Sequence, residues 1–97
     1  MVEREGVRLL LETDRRLAMK RVRCEVVEGA VPAQRFALVS RFDGIVEEVP
    51  VSPALLSGNR ALEVGEIGRE GERVLVELPV ESSSGNWRIW VPVASVE

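Results

Sequence analysis

Five cations fall within nine residues of this chain: Arg15, Arg16, Lys20, Arg21 and Arg23, with no acid between them. Clustered guanidinium and ammonium groups are the chemistry of phosphate binding, in nucleic acid or in a nucleotide. Asp14 and Glu25 flank the cluster, and the chain offers two tryptophans, two phenylalanines and no tyrosine for stacking bases. Surface pairing with acids of the second half is the simpler account. A second constellation is the Trp87/Trp90 pair. Three residues apart on a strand, the two rings point to opposite faces. Trp87, Ile89, Val91 and Val93 are expected toward the core, and Arg88, Trp90 and Pro92 away from it. Arg88 beside Trp90 has the composition of a binding hot spot for a protein, a peptide or a second subunit. Covering the mouth of a barrel is the structural alternative.

Catalytic chemistry has little to work with. The chain has no histidine, one cysteine (Cys24) and one lysine (Lys20). The commonest general base is missing. Four-ligand zinc, haem and histidine-triad sites lie beyond the chain's own means, and no disulfide can form within it. No serine lies near Lys20 in sequence to make a serine-lysine pair. Glu47-Glu48 and Glu25/Glu28 are candidate carboxylate pairs, but glutamates on strands are usually solvated. Three glycines within Gly65-Glu66-Ile67-Gly68-Arg69-Glu70-Gly71 suggest a phosphate cradle, yet the lysine and hydroxyl such a loop needs are absent. That segment reads instead as a long hairpin tip. No catalytic, cofactor or metal residues are expected, and no enzyme.

The elements that position these residues are strands. Seventeen of the 97 residues are valine, against ten leucines and three isoleucines, and valine suits a pleated surface. Alternating polarity with glycine and proline punctuation predicts strands over Val7–Glu12, from the Thr13–Arg16 turn to about Glu28, and over Gln34–Arg41. Phe36, Leu38 and Ser40 share one face of that third strand. Asp43-Gly44 signals a hairpin turn into Ile45–Val51. Pro53–Ser57 has room for one helical turn. Arg60–Val64, Glu72–Val80 and Trp87–Val93 complete the strands, with an open turn over Ser82–Asn86. One or two helical turns across 14–24 are the local alternative, since that segment holds acceptable helix formers. Pro50, Pro79 and Pro92 each lie within apolar-Pro-Val, which marks strand edges, bulges or ends. The expected fold is all-β: a small closed barrel or compact sandwich of about six to seven mainly antiparallel strands in one domain, 1–97.

An internal likeness suggests two halves, 7–41 and 52–97. Leu11–Met19 aligns with Leu56–Val64, Lys20–Val26 with Glu72–Leu78, and Arg35–Leu38 with Arg88–Val91. Seven of the twenty pairs are identical. Either two similar units pack about a pseudo-twofold axis, or the match reflects the abundance of valine, arginine, glutamate and leucine. Charge divides as well: residues 1–41 carry net +3 and residues 42–97 net −6, giving −3 overall. Arginine outnumbers lysine twelve to one, and asparagine, glutamine, methionine and cysteine together number six. A heat-loving source or a GC-rich genome accounts for such a bias equally well.

Short stretches resemble two known families. Trp90-Val91-Pro92-Val93-Ala94-Ser95-Val96 resembles the last strand and closing turn of Src-homology-type peptide-binding barrels. The resemblance implies a barrel; without tyrosine it does not imply that family's proline-rich ligand. Arg15-Arg16-Leu17-Ala18-Met19-Lys20-Arg21 is similar to the arginine motif of PilZ domains, six-stranded barrels that bind a cyclic dinucleotide. Leu62–Glu66 and Val74–Pro79 are similar to later strands of that family. Where its second motif belongs, around Ser52, this chain has Pro50 and Leu55 at the flanking places. No apolar run approaches the roughly 18 residues of a membrane span, and Met1–Glu5 lacks a signal-peptide start. The expected protein is a cytoplasmic, non-catalytic module acting through protein contacts or self-association at Arg88 and Trp90. The alternative is a phosphate-ligand binder using Arg15, Arg16, Lys20, Arg21 and Arg23.

Overall fold

A computed structural model describes residues 17–58 and 60–97. The strand expected over Val7–Glu12 and the turn containing Arg15 and Arg16 lie outside the described residues. Within them the chain is all-β, with eight strands and two single 3-10 turns. The strands are β1 Ala18–Arg23, β2 Glu25–Glu28, β3 Arg35–Ser40, β4 Val46–Val51, β5 Leu56–Ser57, β6 Ala61–Glu70, β7 Arg73–Glu77 and β8 Arg88–Pro92. The 3-10 turns cover Pro53–Leu55 and Val93–Ser95. The first fills the space where one helical turn was expected. The second follows the last strand.

These segments form strands because their apolar residues recur at every second position, which a pleated strand turns to one face. Val22 of β1, Ala37 and Val39 of β3, Val49 and Val51 of β4, Val74 and Val76 of β7, and Ile89 and Val91 of β8 are all buried. With Leu62, Val64 and Leu78 they make one core, in which eight of twelve residues are valine. Phe36, Leu38 and Ser40 do share a face, the one opposite the core.

Every ladder is antiparallel. One sheet runs β1-β6-β7-β8, with β5 beside the start of β6; the other runs β2-β3-β4. Among the described residues neither sheet closes into a barrel. Two backbone bonds join them beyond the shared core: Phe42 N–H donates to the Trp90 carbonyl (2.8 Å) and Ser83 N–H to the Glu48 carbonyl (2.7 Å). Within the larger sheet, Glu97 N–H donates to the Arg21 carbonyl (2.7 Å) beside an isolated bridge between Val22 and Val96, bringing the tail after β8 back to β1.

Two sequence expectations change, and one local alternative is not taken. The single strand anticipated up to Glu28 is two, divided at Cys24, where the chain leaves one sheet for the other. Cys24 N–H still bonds to the Arg60 carbonyl (2.7 Å), but from Glu25 onward the partner is β3. Bent strands that switch sheets are how packed sheets turn corners. The helical alternative is not adopted over Ala18–Arg23, because burying Val22 against β6 needs the two-residue period. The supposed long tip over Gly65–Gly71 is mostly strand. β6 runs to Glu70 with a register shift between Glu66 and Gly68, so only the tight turn at Gly71 (φ 61°) reverses the chain. A bulge there absorbs the irregularity that the glycines signalled.

Candidate functional site

Arg88 and Trp90 lie two residues apart on β8, on the face away from the core, as alternation requires. Ile89 and Val91 between and beyond them are buried. Trp87 is the exception to the expected core face. It precedes β8, where its carbonyl receives the Leu78 N–H (2.7 Å) at the mouth of the β7–β8 loop, and its side chain is 52% exposed.

Trp90 does not stand alone. β7 sets Leu75 opposite it and brings Arg73 over its ring, with the guanidinium carbon 4.1 Å from the ring centre. Arg41 and Phe42 arrive from the β3–β4 hairpin, held by the Phe42–Trp90 backbone bond. Asn86 arrives from the β7–β8 loop. Together with Arg88, Asp43 and Ile89 these residues line a cleft of about 220 Å³. Three guanidinium groups, two aromatic rings and one carboxylate thus converge from four parts of the chain. Sequence reasoning found Arg88 and Trp90 but missed Arg41, Phe42 and Arg73. The Asp43-Gly44 turn signalled the hairpin that carries Arg41 and Phe42, and the Glu72–Val80 alternation the strand that carries Arg73; neither says what its element packs against.

The cleft is anchored from beneath by Glu47. This carboxylate is 2% exposed, so the expectation of a solvated strand glutamate is wrong here. Glu47 alternates with Val49 and Val51 and faces inward with them. It accepts from Arg41 Nη1 (3.0 Å), Ser84 Oγ (2.7 Å) and Asn86 Nδ2 (2.8 Å). Burial pushes its pKa up, but these hydrogen bonds outweigh burial and bring it down to about 2. Its neighbour Glu48 points the other way and takes the Ser83 hydroxyl (3.0 Å). The two therefore do not form a catalytic pair. Asp43 closes the hairpin by accepting the Ile45 N–H (3.1 Å) and pairing with Arg41. The Ile45 bond and then Arg41 hold its carboxyl below the usual range.

The anticipated phosphate-binding cluster is divided by the pleat. Arg21 and Arg23 are exposed on one face of β1, while Lys20 shares the face of Val22. Arg21 stands across the ladder from Glu63, and Lys20 lies near enough to Glu66 to favour its ionised form, after Arg69. Among the described residues no group of three or more histidine, cysteine, aspartate or glutamate side chains is placed to hold a metal ion. No helix among them is long and apolar enough to cross a membrane. Comparison with protein-family models, curated proteins and solved structures finds no match to this chain.

Proposed function

We propose that the protein is a non-catalytic all-β module that acts through protein contacts, as an assembly, accessory or regulatory component in the cytoplasm. Its two sheets are read as a compact sandwich around one core, bent at Cys24. The observation that carries this reading is the convergence of Arg88 and Trp90 with Arg41, Arg73 and Phe42 on one cleft. Arginine and aromatic side chains, half-covered and held by their neighbours, are the residues that dominate protein-protein binding energy. They are pre-ordered by hydrogen bonds and by the Arg73–Trp90 contact, which lowers the entropy cost of docking.

The test is a photo-crosslinking residue placed at position 88 in cells of the source. A discrete protein adduct is expected from position 88 and not from position 63, and it should disappear when Trp90→Ala is added. An adduct with a second copy of the chain would identify self-association as the contact. Equal or absent labelling at the two positions would overturn the proposal.

The alternative, a phosphate-ligand binder using the 15–23 segment, is favoured by one observation: Arg21 and Arg23 are exposed on the same side of β1. It requires salt-dependent binding of nucleic acid or a cyclic dinucleotide that weakens in Arg21→Ala and Arg23→Ala. Binding unaffected by both substitutions, or none at low salt, would remove it.

A further inference from the structure

The cleft holds more hydrogen-bond donors than its own carboxylates use. Arg41 commits Nη1 to Glu47 and Nη2 to Asp43. Arg73 sends both Nε and Nη2 to one oxygen of Glu70, and Arg88 uses Nη2 alone, toward Glu77 at 3.3 Å. Nη1 of Arg73, both Nε and Nη1 of Arg88, and Nε of Arg41 have no acceptor among the described residues. Glu70 and Glu77 do not line the cleft. Its lining therefore carries three cations and one acid, on a chain whose net charge is −3. A guanidinium lying over an indole keeps its N–H groups in its own plane, available at its edges, where a carboxylate accepts two at once.

Size separates the ligand classes. A volume of about 220 Å³ is below the roughly 300–1,000 Å³ of pockets that enclose whole small molecules. It suits the side chains of a longer segment lying across the surface. The β3–β4 hairpin beside the cleft leaves Phe42, Ile45 and Val46 about half exposed, an apolar shelf that a bare phosphate would not use.

Resting on the protein-contact reading, we propose that this cleft receives an acidic segment of a partner protein, with carboxylates on Arg73 and Arg88 and an apolar side chain against the Phe42 hairpin. Trp90 reports on the site. In a Trp87→Phe background it is the only tryptophan, and Trp87 lies outside the cleft lining.

The probe is a synthetic peptide of alternating glutamate and leucine or phenylalanine, compared with its glutamine counterpart, inorganic phosphate and a cyclic dinucleotide. The acidic peptide should change Trp90 fluorescence saturably, and the glutamine counterpart should not. Arg73→Ala and Arg88→Ala should each weaken binding about tenfold, while Arg21→Ala leaves it unchanged. Circular dichroism of each variant shows that loss of binding is not loss of fold. Equal binding of the glutamine peptide would overturn the inference, and so would a Trp90 response to phosphate or the dinucleotide alone. A position-88 adduct with a protein whose contacting segment lacks acids would also overturn it, while leaving the protein-contact reading intact. No adduct and no peptide binding would overturn both.

Discussion

At the residue scale, Glu47 makes the sharpest prediction. Its folded pKa of about 2 lies below its ordinary 4.5, so the unfolded chain binds more protons between those values and stability rises with pH there. The contribution is complete above about pH 5 and lost as pH falls toward 2, and it amounts to about 3 kcal/mol. Glu47→Gln should flatten the acid limb of a urea-midpoint-against-pH curve by about that much; parallel curves for the two proteins would refute the assignment. Arg73 should behave differently. Its contact with Trp90 is half-exposed, so Arg73→Ala should cost no more than about 1 kcal/mol while making Trp90 measurably more accessible to acrylamide. Nothing in the sequence distinguished Glu47 from Glu48 except its phase with Val49 and Val51. That phase was readable, but a general expectation about glutamates obscured it.

Two turns can be tested at the scale of the elements. Ala33, in the β2–β3 connection, has φ 68°, a left-handed conformation that costs an L-residue with a β-carbon roughly 1 kcal/mol. The turn is otherwise well formed: Gly29 N–H donates to the Gln34 carbonyl (2.8 Å), and the Gln34 side chain accepts from Ala30 N–H (3.0 Å). Ala33→Gly should therefore raise stability by about 0.5 kcal/mol after the entropy of the unfolded chain is counted. Gly71→Ala, at φ 61° with open space around it, should lower stability by about 1 kcal/mol through backbone strain alone. Thermal midpoints moving in opposite directions would confirm the pair. Element positions were largely legible because alternation and turn residues are local signals: β3, β4, β7 and β8 fall within a residue or two of the expected starts, although β7 ends earlier than anticipated. The division at Cys24 and the strand character of Gly65–Glu70 were not, because both depend on which strand lies alongside.

For the whole molecule, the shared core predicts one cooperative transition. Val22, Leu62 and Val76 of one sheet pack in the same cluster as Ala37, Val39 and Val49 of the other. Far-ultraviolet circular dichroism and tryptophan fluorescence should therefore give coincident midpoints in denaturant. Leu62→Ala should lower stability by about 3 kcal/mol through lost burial and a residual cavity; two separated transitions would show that the sheets fold independently. The sequence by itself determined that the chain is β-rich, which strand faces are apolar, where most turns fall, and that histidine and paired-cysteine chemistry is closed to it. These follow from composition and from a two-residue period, which are properties of neighbours along the chain. Only the tertiary structure decided that Arg88 and Trp90 share a cleft with Arg41, Phe42 and Arg73, that Glu47 is buried beneath it, and that the basic cations of β1 divide between two faces. Those outcomes depend on register and on contacts between residues more than thirty positions apart, such as Glu47 with Asn86. Local periodicity constrains such contacts without specifying them.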